Sequence, residues 1–331
     1  MAAPSLNALN RLNLNRCEPP LWAMSAHAQT VLAYLLPSKT LSLSGERFDF
    51  PLAGGDILTS RFFPGSRPVV CYLFHGLAGS IESSYMQRTA RICQELGISV
   101  YLCNHRGCGE GAGLATEPYH SGRGEDLSAV IEAGRKRHPG FSHIAIGFSL
   151  SGSALLNLLA GRRGHCKPDV GIVVNSPIHL ESASRMLHQG LNRLYDFRFV
   201  CTLMKELKVE SKRRSIKLDP RLSTWMTLYD FDEYHTAPAA GFKDRQDYYD
   251  RCSTWQHLQD INTPTLMITS EDDPFVPYEH YEKAKLSPSV ILHAEKKGGH
   301  MGYLNSEVTA RGDRRWLDYA LESYLKNLIS Q

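Results

Sequence analysis

The 331-residue sequence predicts an α/β protein with a mostly parallel central sheet flanked by helices. Three observations support this fold class. Apolar runs of strand length alternate with stretches of helical periodicity along most of the chain. One such run, residues 145–148, breaks at a Gly-x-Ser triplet and resumes at once as a helix. Late in the chain, residues 177–260 are helical in pattern and contain no clear strand.

The predicted elements follow one another in a regular order. Residues 41–50 and 57–63 alternate like an antiparallel pair of strands that opens the sheet. The later predicted strands are residues 68–74, 98–102, 143–148, 170–174, 264–270 and 289–293. The predicted helices are residues 85–96, 124–137, 150–160 and 314–329.

The pattern predicts two structural units. Residues 1–176 and 261–331 form the core, which includes an amino-terminal extension of about 40 residues. Residues 177–260 form a helical lid that is inserted before the strand at 264–270. Open α/β sheets bind ligands at the carboxyl ends of their strands. We therefore expect the lid to lie over that edge and to shape a pocket.

Composition is that of an ordinary globular protein, with 42% hydrophobic and 21% charged residues. A net charge of +3 is too small to predict a nucleic-acid partner. Eight scattered cysteines favour a reducing compartment. The sequence contains neither a signal-peptide pattern at its start nor an apolar run of about 20 residues. We expect a cytoplasmic protein without an integral membrane segment.

The Gly-x-Ser break predicts a nucleophile elbow centred on Ser149. In such an elbow a strand stops, turns tightly with the serine in a strained backbone conformation, and enters a helix. Small residues at Gly147 and Ser151 allow the two backbones to approach. Ser151 occupies the place of the usual second glycine, although Gly152 follows directly.

Candidate partners of Ser149 follow the order strand, oxyanion loop, serine, acid and histidine that is typical of α/β-hydrolases. The loop after residues 68–74 places Leu77 where an oxyanion loop is expected. Asp273 follows the strand at 264–270 and is the preferred acid because it begins an Asp-Pro-x-x-Pro turn, with Asp272 as the alternative. His300 lies on a glycine-flanked turn that can direct it towards Ser149.

These residue types suit nucleophilic catalysis on an acyl group. A serine hydroxyl becomes a useful nucleophile when an imidazole takes its proton, and a carboxylate fixes the tautomer of that imidazole. Two backbone amides must meet the oxyanion that develops, and we expect them from Leu77 and Leu150.

The chain resembles the YheT-like α/β-hydrolases, a family that includes abhydrolase-domain lipases and fungal ethyl ester synthases. The matching motifs are residues 27–30 (HAQT), 75–80 (HGLAGS), 104–109 (NHRGCG), 119–122 (YHSG), 125–127 (EDL), 147–150 (GFSL), 229–232 (YDFD), 236–238 (TAP), 272–275 (DDPF) and 298–302 (GGHMG). Ser149, Asp273 and His300 lie at matching positions. The departure is Ser151, where the family pattern has glycine. The resemblance implies a serine carboxylesterase that needs no metal or organic cofactor.

The expected substrate is a small-molecule or lipid ester, with a preference for short to medium acyl chains. Acyl transfer to an alcohol, lipase or phospholipase activity and thioester hydrolysis all use the same residues and remain alternatives. A hydrolase-fold protein that only binds its ligand is an alternative of a different class. The basic run in the lid, between Lys205 and Arg221, is either a solvated helix face or a site of peripheral contact with anionic lipid.

Overall fold

The computed structural model describes residue 9 and residues 12–41 and 44–330. Its eight strands form a single sheet in the order β1-β2-β4-β3-β5-β6-β7-β8. The strands are β1 (Glu46–Pro51), β2 (Ile57–Phe63), β3 (Val69–Phe74), β4 (Ser99–Cys103), β5 (Ser142–Phe148), β6 (Val170–Val174), β7 (Thr265–Ser270) and β8 (Val290–Glu295). β2 pairs antiparallel with β1 and with β4, and every other pairing is parallel.

Eleven α-helices lie within the described residues. They are α1 (Ala26–Leu35), α2 (Ser84–Glu95), α3 (Gly124–Arg137), α4 (Leu150–Leu159), α5 (Leu180–Leu187), α6 (Arg193–Arg214), α7 (Leu228–Phe231), α8 (Ala237–Ala239), α9 (Arg245–Cys252), α10 (Glu279–Lys283) and α11 (Trp316–Ile329). A π-helical turn, Asp232–Thr236, joins α7 to α8.

The apolar core lies on both faces of the sheet. Every residue of β3, β4, β6 and β7 is buried, as parallel strands covered on two sides require. Helices α3 and α4 pack on one face, and α2 and α11 pack on the other. The predicted fold class is therefore confirmed, and the first two strands are antiparallel as expected.

The boundaries agree closely with the predicted ones, apart from the first strand. That strand begins at Glu46, whereas the sequence pattern placed its start at residue 41, and residues 42 and 43 lie outside the described part of the chain. In the described structure residues 177–260 form helices and no strand. The division into a core and a lid stays a prediction.

Helix α1 was not predicted as a helix. It begins after Ser25, whose Oγ accepts a hydrogen bond from the Ala28 amide, and it ends before Pro37, which cannot continue it. Gln29 and Ala33, one turn apart, form its buried side. That side packs against the loop that carries His300, as described below.

Candidate active site

Ser149 is the single residue that connects β5 to α4, and its backbone conformation is uncommon, with φ 52° and ψ −118°. Such a conformation costs a non-glycine residue about 1–3 kcal/mol. The turn is tight on both sides, because a Cβ at Gly147 would lie 2.6 Å from the Ser151 carbonyl oxygen and one at Gly152 would lie 2.6 Å from Val173 Cγ1. Both positions therefore require glycine. The backbone has the form expected of an elbow that presents the serine.

His300 contacts both of its expected partners. Its Nε2 lies 3.0 Å from Ser149 Oγ, and its Nδ1 lies 2.8 Å from Asp273 Oδ2. Because Asp273 can only accept when ionised, Nδ1 carries the proton and Nε2 is free to accept from the serine hydroxyl. The three side chains thus form one hydrogen-bonded chain.

Asp273 is buried and held by further donors. Its Oδ1 accepts from the amides of Phe275 at 2.8 Å and Val276 at 3.1 Å. Its Oδ2 also accepts from Asn175 Nδ2 at 2.7 Å, and the Tyr303 hydroxyl donates in turn to Asn175 Oδ1 at 3.0 Å. Asn175, at φ 46° just after β6, is a supporting residue that the sequence reasoning missed. Its only sequence signal is an amide side chain at the end of a buried strand.

Asp272, the alternative acid, contacts a different part of the site. Its Oδ1 accepts from the amides of Gly298 and Gly299, each at 3.0 Å. It therefore anchors the start of the loop that carries His300. No hydrogen bond joins its side chain to the imidazole of His300 within the described residues.

Helix α1 supports the same loop from the other side. Thr30 Oγ1 accepts from the His300 amide at 2.9 Å. Gln29 accepts from the Leu304 amide at 2.6 Å and donates to the Leu304 carbonyl at 3.0 Å. A Cβ at Gly299 or at Gly302 would collide with the backbone of α1. These contacts give the motif at residues 27–30 a structural role.

The backbone amides of Leu77 and Leu150 are the expected donors to an oxyanion. The amide of Gly76 donates to the Tyr85 hydroxyl at 2.9 Å and that of Ala78 to the Tyr119 hydroxyl at 3.0 Å. The Leu77 amide between them has no acceptor within the described residues. Leu150 opens α4, so its amide has no acceptor inside the helix and lies at the positive end of the helix dipole.

Ser151 belongs to a buried network behind this loop. Its hydroxyl donates to the His75 carbonyl and accepts from His105 Nε2. His75 Nδ1 donates to the Gly76 carbonyl at 2.8 Å, and its Nε2 accepts from the His105 amide at 3.1 Å. Burial lowers the pKa of His75 well below its usual value and that of His105 to about 4, so both rings are neutral at pH 7. The network holds the loop in place.

Ser149 and His300 open into a cavity of about 810 Å³, which Leu77 and Leu150 also line. Its walls include apolar side chains of α5, α6 and α7, namely Leu180, Leu187, Leu203, Leu207, Leu228 and Phe231. Glu206 also lines it, and burial raises the pKa of its carboxyl to about 7. The size is within the range of roughly 300–1,000 Å³ that is typical of small-molecule sites.

Across residues 12–41 and 44–330, no three histidine, cysteine, aspartate or glutamate side chains are grouped as metal ligands. No helix in the described part of the chain is long and apolar enough to cross a membrane.

Comparison with known proteins agrees with the fold. The family model described as alpha/beta hydrolase fold matches residues 69–307. The chain therefore belongs to the α/β-hydrolases. Within them it is YheT-like, because it is 30% identical to YheT of Escherichia coli over 78% of this chain and 76% of that protein.

Other relatives carry lipase names. The chain is 28% identical to the phospholipase ABHD3 of Mus musculus, over 86% of this chain and 72% of that protein. It is 26% identical to the monoacylglycerol lipase of Saccharomyces cerevisiae, over 79% of this chain and 59% of that protein. Among solved structures, the Pyrococcus furiosus esterase Pf2001 shares the fold, with a TM-score of 0.54 and 14% identity over 88% of this chain and 98% of that one.

Proposed function

We propose that this protein is a serine carboxylesterase that hydrolyses carboxylic esters through an acyl-enzyme on Ser149. The observation that carries the proposal is the hydrogen-bonded chain from Ser149 Oγ through His300 to Asp273, with distances of 3.0 Å and 2.8 Å. The first distance lies in the range in which a base can take a proton from a nucleophile, and the second is that of a hydrogen bond that orients the base.

The reaction follows from these contacts. Ser149 Oγ attacks the ester carbonyl while His300 Nε2 takes the hydroxyl proton, and Asp273 stabilises the imidazolium. The amides of Leu77 and Leu150 donate to the oxyanion. The C–O bond to the alcohol then breaks, and His300 returns the proton to the alcohol that leaves. A water molecule, deprotonated by His300, then attacks the acyl carbon. The bond between that carbon and Ser149 Oγ breaks, His300 returns the proton to Oγ, and the acid leaves.

The cavity supports an ester with an apolar acyl chain. Leucine and phenylalanine side chains form much of its wall, so an acyl chain extending from Ser149 loses contact with water there. This lining and the lipase names of two relatives favour a second candidate, a lipase or phospholipase acting through the same three residues.

The eight cysteines are free thiols, which supports a reducing compartment such as the cytoplasm.

The direct test uses p-nitrophenyl esters from acetate to palmitate with the wild type and Ser149→Ala. We expect turnover in the wild type and its loss in Ser149→Ala at an unchanged melting temperature. A fluorophosphonate should label Ser149, as located by mass spectrometry. Labelling without turnover would favour another acyl donor or acceptor, and normal turnover by Ser149→Ala would contradict the mechanism. Adding an alcohol and analysing the products separates hydrolysis from acyl transfer.

A further inference from the structure

Exposed apolar side chains are concentrated on two segments that contact each other. Of the fourteen large hydrophobic residues exposed in the described structure, ten lie within residues 21–36 or 191–197. The His27 ring stacks on Tyr195 at 5.8 Å, and the Arg198 guanidinium lies 4.7 Å from the centre of the Tyr34 ring. These contacts join α1 to the start of α6.

The resulting surface is termed the apolar face. It consists of Leu21, Trp22, Leu35, Leu191, Leu194 and Phe197. Leu21 is 92% exposed and Leu194 is 71% exposed, which is far more than packing within one chain requires. Trp225, itself 84% exposed, lies 5.4 Å from the Phe197 ring and extends the surface.

The exposed charges that α6 places beside the apolar face are all positive. Residues 19–38 contain no aspartate, glutamate, lysine or arginine. On α6 every exposed residue is basic or apolar, whereas its three acidic residues, Asp196, Glu206 and Glu210, are buried or half-buried. A helix that presents only cations and apolar side chains to its surroundings is typical of proteins that lie in the interface of an anionic membrane.

The apolar face borders the candidate active site. Tyr195 lies edge-on to Phe275 at 4.7 Å, and the Phe275 ring lies 4.6 Å from that of His300. On the other segment, Thr30 accepts from the His300 amide at 2.9 Å. One segment therefore contacts the loop that carries His300 directly, and the other contacts Phe275, whose ring lies against that of His300.

We propose that the apolar face docks on the surface of an anionic phospholipid membrane. Its leucine and aromatic side chains enter the boundary between headgroups and acyl chains, while arginine and lysine side chains of α6 contact the lipid phosphates. The proposal goes beyond the esterase function and does not require it.

Binding to vesicles tests the proposal without any catalytic readout. Sedimentation with vesicles of phosphatidylcholine and phosphatidylglycerol in equal amounts should capture the wild type, and pure phosphatidylcholine should capture much less. The double variant Leu194→Ser, Phe197→Ser should lose about tenfold in partitioning. Val308→Ser is the matched control, because Val308 is 58% exposed but lies outside both segments. It should bind like the wild type.

The electrostatic part is tested at Arg193, because Arg198 also contacts the Tyr34 ring and so joins α6 to α1. Replacing Arg193 by glutamine should lower partitioning to the anionic vesicles by about fivefold. Arg213 and Arg214 are less suitable because they donate to the carbonyls of Ala112 and Thr116 and so hold α6 against a neighbouring loop. Tryptophan emission of the wild type should shift to the blue on anionic vesicles, and the shift should be smaller in Trp22→Phe.

Three controls separate docking from folding and from chemistry. Ser149→Ala should bind vesicles normally, so loss of activity leaves the docking result interpretable. The Leu194→Ser, Phe197→Ser variant should keep its melting temperature and its turnover of a soluble ester. The proposal is overturned if the wild type does not bind anionic vesicles, or if the double variant binds equally well. It is also overturned if sedimentation velocity shows that the wild type is a dimer and the double variant is a monomer, because the face then binds a second copy.

Discussion

The backbone amide of His300 donates a 2.9 Å hydrogen bond to Oγ1 of Thr30, a residue 270 positions earlier in the chain. The imidazole of His300 must meet both Ser149 Oγ and Asp273 Oδ2, so its loop has to be held within about 0.5 Å. Thr30 and Gln29 contact that loop from one side and Asp272 from the other. The amino-terminal helix is therefore part of the support of the candidate active site.

Replacing Thr30 by valine should lower kcat while leaving the fold intact. Valine matches threonine in shape but cannot accept from the His300 amide, so the imidazole loses one of its restraints. We expect kcat for a soluble ester to fall on the order of tenfold and the free energy of unfolding to fall by about 1 kcal/mol. Thr30→Ser keeps the hydroxyl and should behave like the wild type. Unchanged kcat in Thr30→Val would show that the hydrogen bond from the His300 amide to Thr30 is not needed to position the imidazole.

The adjacent residues Asp272 and Asp273 should respond very differently to the same substitution. Asp273→Asn removes the charge that stabilises the His300 imidazolium and lets the wrong tautomer form, so kcat should fall by about 10⁴. Asp272→Asn keeps a carbonyl oxygen that can accept from Gly298 and Gly299, so kcat should stay within about tenfold of the wild type. Single-turnover rates with a p-nitrophenyl ester measure both. A larger loss of kcat in Asp272→Asn than in Asp273→Asn would show that Asp272 is the acid that pairs with His300.

Ser151→Ala tests the hydroxyl that stands where the family pattern has glycine. The variant removes the hydrogen bonds of Ser151 to His75 and His105, although His105 Nε2 keeps the His75 carbonyl as an acceptor at 3.1 Å. We expect the free energy of unfolding to fall by about 1–2 kcal/mol and kcat to fall by less than about tenfold. Urea unfolding and steady-state kinetics check the two effects. A loss of turnover as large as that of Ser149→Ala would show that Ser151 takes part in the chemistry.

The features that the sequence predicted correctly are those that depend on the local pattern of residues. Strands, the elbow at Ser149 and the turn at His300 depend on neighbouring residues, above all on glycines that a tight turn requires, and these positions agree with the structure. The contact of Asn175 with Asp273 could not be predicted, because it depends on how β6 lies beside β7 and which way each strand ends. The support from α1 was missed for the same reason, since it joins opposite ends of the chain.

The segment predicted as a lid, residues 177–260, shows a different limit of sequence pattern. Its lysines and arginines predicted a basic face, but pattern alone did not show that the acids of α6 turn inward. Glu206 lines the cavity, and no ion pair or hydrogen bond joins its carboxyl to another described residue. Which side of a long helix faces a pocket depends on the packing of the elements around it. The inward position of Glu206 has a measurable consequence.

Glu206→Gln should remove a pH dependence of stability. Burial raises the pKa of this carboxyl from 4.5 to about 7, and Lys205 offsets only part of the shift. Below pH 4.5 both the folded and the unfolded chain are protonated at Glu206, so the group contributes no difference there. Between pH 4.5 and about 7 the unfolded chain loses the proton while the folded chain keeps it, so the free energy of unfolding falls as pH rises.

Glutamine has the same shape and no charge, so Glu206→Gln should be more stable than the wild type above pH 7 and similar to it near pH 4.5. We expect a difference of about 1–3 kcal/mol at the higher pH, because Glu206 is only half-buried and solvent screens part of the penalty. Urea unfolding at both pH values measures it. Glu210→Gln is the matched control on the same helix, since Glu210 pairs with Arg214 at 3.7 Å and its loss should bring no gain. Equal gains in the free energy of unfolding of the two variants would point to a general effect of charge on α6. If the free energy of unfolding of Glu206→Gln instead runs parallel to that of the wild type across pH, the Glu206 carboxylate is in contact with solvent.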